Sequence, residues 1–339
     1  MARAVDGHRR YHRKSASRSA GSSWSANKSD RPIRRTFSQR LILRLAAAIY
    51  ACRTTASTPS PASPAEQQIH VVCIADTHNH QPALSDGDLL LHAGDLSELG
   101  SFEELQAQLD WLNTQPHRHK VVVAGNHDSL LDRAYRSRSQ ISYPELHVGR
   151  TWESLRWGSI KYLQYESTVL DFPNGRSLKI YGAPLTARAG PFSSQHSRYE
   201  DVWRGTVPLD TDILLTHGPP HLHLDMTESG SHAGDRFLLR ALYRVRPPMV
   251  VFGHIHESRG KETLAYDRLQ RKWEAVVRRE AGWAAVWQML LIVLLQVLHR
   301  VLAPFGHRER PRTSLLINAA SVFGHGRRKS TRPGMTVVL

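Results

Sequence analysis

From residue 70 onward the chain is a series of short apolar runs, each stopped by a polar residue or a glycine. The runs are HVVCIA before Asp76, DLLLHA before Gly94 and Asp95, KVVVA before Gly125 and Asn126, SLKIYGAP, DILLT before His217, MVVF before Gly253, and SLLINAAS near 314–321. Runs this short and this rich in branched side chains predict strands buried on both faces. Between several of them the period turns helical. In FEELQAQLDWLNTQ (102–115), Phe102, Leu105, Leu109 and Leu112 share one face and acids fill the first turn. RFLLRALYRV (236–245) has the same pattern. Buried strands alternating with helices predict a sheet covered on both sides, an α/β architecture. SIKYLQYESTVLDFPNGRSLKIYG reads as antiparallel strands, with Asn174-Gly175 as a tight-turn signal.

The polar residues collect where the strands stop: Asp76 and His78, then Asp95, then Asn126, His127 and Asp128, then His217, then His254 and His256. Open α/β sheets build their sites outside the carboxyl ends of their strands, so folding one sheet brings these residues together. In VVFGHIHES the two histidines are at i and i+2, which in extended chain project from one face. Oxygen and imidazole donors without thiolate suit divalent Mn, Fe or Zn. Two or three carboxylates, four or more imidazoles and one carboxamide, at least seven donors, are too many for one ion that must also keep water. They suit two ions, about 3.5 to 4 Å apart, that share a carboxylate.

ADTH (75–78), GD (94–95), GNHD (125–128), THG (216–218) and GHIH (253–256) resemble, in order and spacing, the five blocks of the calcineurin-like metallophosphoesterases. HAGDLSELG, ILLTHGPP, VFGHIHE and INAAS look more narrowly like the metallophosphoesterase domain-containing subfamily, whose members have been described as cyclic-nucleotide phosphodiesterases. The resemblance implies a four-layer α/β/β/α sandwich with a mixed β-sandwich core. It implies two divalent ions, Mn, Fe or Zn: Asp76, His78 and His256 at the first, Asn126, His217 and His254 at the second, Asp95 bridging. It implies hydrolysis of a phosphodiester or phosphomonoester by a metal-bridging hydroxide, with His127 assisting the leaving group and Asp128 orienting its imidazole. Asn126, His127 and His221 are the expected substrate contacts. A lone Asp after a strand is ordinarily a helix cap and a lone glycine an ordinary turn; five blocks in order are what argue for a site. Beside that, His80, His92, His117, His119, His221, His223 and His232 read, taken singly, as surface or supporting residues. His221, His223 and His232 follow His217 on one loop, placed to line a substrate pocket, and Asn318 and Ser321 read as support for the site. The rival reading is a metal-binding scaffold, or a membrane-associated binding module on the same fold; the intact His127 favours catalysis.

Composition adds less. The net charge of +15 is concentrated in residues 1–66, which hold 13 Lys/Arg against three acids, leaving 32 basic and 27 acidic residues in the body. A small phosphoester rather than nucleic acid is therefore the expected partner. Residues 1–66 end in the Pro/Ser linker TASTPSPASPAEQQ and read as a disordered basic leader or targeting arm. Within it, TFSQRLILRLAAAIYACRT has the composition of a basic amphipathic helix. A mitochondrial transit peptide and a solvated arm with no address both stay open. The two cysteines, Cys52 and Cys73, exclude a disulfide framework.

Residues 67–339 are expected to form the phosphoesterase domain, interrupted at about 261–312 by an apolar and basic insertion. Its apolar part, about 284–305, is broken by Gln288, Gln296, His299 and Arg300. A single crossing would also leave residues 314–321 across a bilayer from 250–253. A basic-flanked helix on a membrane or partner surface is therefore expected, bracketed by Arg278, Arg279, Arg300 and Arg308, with a re-entrant hairpin and a self-packing or poorly ordered insertion as the open alternatives. The expected location is intracellular, cytoplasmic or mitochondrial, with membrane association through that helix.

Overall fold

The computed structural model describes residues 36–52, 67–138, 150–302, 312–324 and 329–339. Strands β1 (His70–Ile74), β2 (Leu89–Ala93), β3 (His119–Val123) and β4 (Ile160–Tyr162) run parallel in one sheet. The second sheet contains β5 (Glu166–Asp171), β6 (Ser177–Ala183), β7 (Ile213–Thr216), β8 (Met249–Phe252), β9 (Gly260–Ala265) and β10 (Thr313–Asn318). Strand β11 (Met335–Val338) closes the first sheet antiparallel to β1. The orders are β11-β1-β2-β3-β4 and β9-β10-β8-β7-β6-β5. In the second sheet the four inner strands are parallel and the two edge strands, β9 and β5, antiparallel, a mixed sheet as expected.

Side-chain alternation sorts each strand into two layers. Val71, Cys73, Leu89, Leu91, Val121 and Val123 face Ile180, Ile213, Leu215, Met249, Val251 and Ile317 in the core between the sheets. The intervening residues Val72, Ile74, Leu90 and Val122 meet Leu105, Leu109 and Leu112 of α2 (Phe102–Thr114). On the far side, Leu214, Val250, Phe252 and Leu316 meet Phe237, Leu238, Leu242 and Val245 of α3 (Arg236–Val245). The result is the α/β/β/α sandwich. Truncating any of these buried leucines to alanine costs about 2–5 kcal/mol. Both helices start at built caps. Ser101 and Glu104 form a reciprocal capping box, and the Asp235 carboxylate accepts from the Phe237 N–H at 2.7 Å.

Two boundaries differ from the sequence reading. The insertion expected at 261–312 begins later, because Gly260–Ala265 is the edge strand β9, paired antiparallel to β10. The leader is not wholly detached, since Phe37–Ala51 forms helix α1 behind a Thr36–Gln39 capping box. It packs on α4 (Arg268–Val277) and α5 (Trp283–Leu302). Their shared core is Ala46, Leu269, Val276, Ala285, Val286 and Met289, with Tyr50 stacked on Trp273 at 5.2 Å. A helix with one apolar stripe needs a partner to bury it, and α1 and the insertion supply each other. The rest of the expected arm, and Arg308, lie outside the described residues. No described helix is long and apolar enough to cross a membrane.

A buried polar network ties this helical unit to the 219–235 loop. His223 Nδ1 lies 2.8 Å from a Glu262 carboxylate oxygen, and its Nε2 lies 3.3 Å from one of Glu274 on α4. The Tyr243 hydroxyl and Gln270 amide also donate to Glu274, and the Tyr50 hydroxyl donates to Gln270. Burial alone would lower the His223 pKa; the two carboxylates overcome this and raise it from 6.5 to about 9. Stability from this group is therefore fully present below pH 6.5 and is lost as pH rises through about 9. Urea midpoints measured across that window should fall more steeply for the protein than for a His223→Gln variant; parallel curves would remove His223 as the fastener.

Candidate metal centre

The expected ligands stand just past the ends of inner strands: Asp76 after β1, Asp95 after β2, Asn126 after β3, His217 after β7 and His254 after β8. Leaving a strand toward a common point requires a sharp change of backbone direction. Asp76 (φ 51), His78 (φ 42), Asp95 (φ 54) and His254 (φ 70) all take it up in the left-handed region. Each such non-glycine residue costs about 1–3 kcal/mol, and strain of this kind concentrates at working sites. Two glycines make room. A Cβ on Gly125 would collide with the Asp95 carboxylate, and one on Gly253 with that of Asp76.

The structure brings the expected ligands together. Donor atoms of Asp76, His78 and His256 converge within 4.8 Å, as do those of Asp95, His217 and His254. His78, Asp95 and His127 form a third such set, which the sequence reading did not foresee. The His256 Nε2 is 3.3 Å from Asp76, and the His254 N–H donates to both Asp76 oxygens at 3.0 and 2.9 Å. One Asp95 oxygen, Oδ2, lies 3.7 Å from His78 Nε2 and 3.3 Å from His217 Nε2. The other accepts the His127 N–H at 2.8 Å. His217 Nδ1 donates to the Ala93 carbonyl at 2.8 Å, which leaves Nε2 directed at Asp95 and, at 3.1 Å, at the Asn126 carboxamide oxygen. That outer hydrogen bond fixes the ring as metal-binding histidines commonly require.

The electrostatics fit a cation. Asp76 and Asp95 are buried, which by itself would raise their pKa, yet facing imidazoles hold Asp76 below the usual carboxylate value and Asp95 well below it. Burial drives His78 down to about 4 and His254 to about 3, so both offer neutral nitrogens. His217 is raised to about 9 and His256 is also raised, since each leans on a buried carboxylate strongly enough to outweigh its own burial. His78 Nδ1 is buried without a hydrogen bond, and the Glu98 carboxylate stands 3.5 Å from it. Anionic oxygens and the neutral imidazoles of His78 and His254, held in strained geometry with polar atoms unspent, suit a divalent ion, whose binding would displace the protons that His217 and His256 hold.

One expectation about a supporting residue changes. Asp128 does not reach the His127 ring. Its carboxylate accepts from the backbone N–H groups of Gly125, Leu96 and Ser97 and from the Ser97 hydroxyl, lacing the Asp95 loop to the Asn126 loop. His127 is held by the Glu98 carbonyl instead, at 2.7 Å from Nδ1, a backbone contact that no side-chain motif announces. His221 belongs to none of the three donor sets; it faces Asp225 at 3.5 Å and stacks edge-on with His232. The Phe192 ring, 5.1 Å from that of His127, is a neighbour that no motif in the sequence announces. Asn318 does support the site, donating to the Ile255 carbonyl between His254 and His256.

The calcineurin-like phosphoesterase family model matches residues 69–258. A protein of Emericella nidulans named probable rhamnogalacturonate lyase C is 41% identical over 258 residues, 76% of this chain but 23% of that protein, and the activity in its name is its own. Metallophosphoesterase domain-containing protein 1 of Homo sapiens is 32% identical over 207 residues, 56% of this chain and 61% of that protein. A UPF0046 protein of Caenorhabditis elegans, K07C11.7, is 32% identical over 206 residues, 59% of this chain and 68% of that protein. The chain thus spans less than two thirds of the length of two of these relatives. With the matched segment running from β1 through the GHIH block and the metal-binding donor sets converging at its strand ends, the chain belongs to the calcineurin-like phosphoesterases.

Proposed function

We propose that the chain hydrolyses a small phosphoester at a centre of two divalent ions. Asp76, His78 and His256 would hold one ion and Asn126, His217 and His254 the other, with Asp95 placed between the two groups. The observation that carries this reading is the position of Asp95 Oδ2, which faces His78 of the first group and His217 of the second. Two bound divalent ions supply Lewis acidity, neutralising phosphoryl oxygens and making water a nucleophile near neutral pH.

The chain's own residues supply orientation and a proton. A carbonyl can only accept, so His127 carries its hydrogen on Nδ1 toward Glu98, and Nε2 is the atom at which a proton is taken or given. A departing alkoxide needs that proton, which assigns general-acid assistance to His127. Asp95 positions it from the other side by accepting its backbone N–H. The Phe192 ring, tilted 34° to the imidazole at 5.1 Å, packs beside it. Asp128 acts at one remove, by keeping the loops that carry Asp95 and His127 in register.

With Mn2+, the protein should hydrolyse bis-p-nitrophenyl phosphate, and His127→Ala should lower kcat by roughly 10²–10⁴ with metal content unchanged. Equal rates would remove His127 from the chemistry, and no turnover with any divalent metal would leave a metal-bound scaffold. Elemental analysis of the loaded protein should give two ions per chain, with His254→Ala and His256→Ala each losing one and Asp95→Asn losing both. Saturating Mn2+ at a hundred times its dissociation constant should stabilise the wild type by about 2.7 kcal/mol for each ion bound and leave the Asp95→Asn melting temperature nearly unmoved. A single ion in the wild type would overturn the shared role of Asp95.

A further inference from the structure

The outward face of α5 carries Trp283, Trp287, Leu291, Leu294, Leu298 and Val301, at spacings of three and four residues. Trp287 and Val301 are 68% and 70% exposed, and each of the other four is between 45% and 56% exposed. The opposite face, through Ala285, Val286 and Met289, is already buried against α1 and α4. Twenty residues make a stripe about 30 Å long. A face of this length, with two tryptophans at one end and no charged side chain among those six positions, is far from an ordinary solvated helix surface.

Charge indicates what covers it. The three helices and their flanks, residues 36–52 and 267–302, contain eight Arg/Lys and three acids, and neither α1 nor α5 contains an acid. Arg40 and Arg44 are exposed on α1 beside exposed Phe37, Leu41 and Leu45. Residues 1–35, which lead into α1, add ten Arg/Lys against two acids. A second copy would set one basic unit against another. An anionic lipid surface complements both the charge and the apolar stripe, and stable attachment takes two such signals together. Spanning is excluded by topology, because β8 before the insertion and β10 after it are paired neighbours, Met249 opposite Leu315.

We propose that α5 lies in the plane of an anionic phospholipid bilayer, its tryptophan-leucine face among the acyl chains and the basic flanks of the unit at the headgroups. The His223–Glu274 link then holds the 219–235 loop, and the metal centre beside it, at a fixed height over the lipid surface. Attachment does not depend on catalysis, so the test does not use activity.

The full chain should float with vesicles of phosphatidylcholine and phosphatidylserine, bind phosphatidylcholine alone less well, and be partly released by salt. Trp287→Glu with Leu294→Glu, both at positions more than half exposed, should reduce the bound fraction roughly tenfold with the melting temperature unchanged. Should that variant melt early, Arg40→Glu with Arg44→Glu decides by the same assay, with weaker binding to the anionic vesicles expected. A wild type that stays unbound, or variants that float as it does, overturns the proposal. A wild-type dimer in light scattering that the first pair converts to monomer, without flotation, assigns the face to a second copy instead.

Discussion

Asp95 carries its charge where water cannot screen it, and the arrangement around it follows from that. A buried carboxylate is costly unless opposing charges and hydrogen bonds surround it. Here one oxygen accepts the His127 N–H and the other faces the imidazoles of His78 and His217. The residue sits in the left-handed region with Gly125 pressed against its carboxylate, so neither its backbone nor its neighbour is free to relax the contact. Asp128 then fastens the two loops involved through four hydrogen bonds. The joint fixes the distance between the two halves of the site.

The fold serves this joint by bringing strand ends from both sheets to one rim. The Ala75 N–H bonds the Ala319 carbonyl and the Gly253 N–H bonds the His217 carbonyl, so the loops beyond the strands are stitched to each other before any ligand arrives. Four strained ligands are tolerable on such a base because the sandwich beneath them is closed on both faces. Side chains from strand and helix lock each layer, which leaves a rigid base for Asp76, His78, Asp95 and His254 where they turn toward the candidate metal site.

The helical unit obeys a different logic. It adds nothing to the sandwich core, and its own small core is shared by a segment before the domain and a segment inserted near its end. Those segments lie more than 200 residues apart, and each reads alone as an amphipathic oddity: a targeting helix in one case, a failed membrane span in the other. Together they bury one stripe apiece and leave a second apolar face of α5 outward. The buried Glu274 and the half-buried Glu262, on either side of His223, connect that unit to the loop beside the candidate metal centre.

The sequence by itself determined the inner strands, the two covering helices and the candidate ligands, because each depends on local order: apolar runs, helical spacing, and polar residues placed where a strand must stop; the edge strand β9 was read as part of the insertion. Asp76, His78, Asp95, Asn126, His217, His254 and His256 were all legible that way. Only the tertiary structure decided what crosses between elements. Nothing beside Asp128 in the chain says that its carboxylate reaches Leu96 and Ser97 rather than the adjacent imidazole, because strands β2 and β3 must pair before those amides come within reach. The Glu98 carbonyl has no side-chain signature, so its hold on His127 was invisible. Likewise α1 finds its partners only when the insertion returns to the sheet at β10. Local pattern fixes which faces must be buried, whereas the closure of the sheets fixes what buries them.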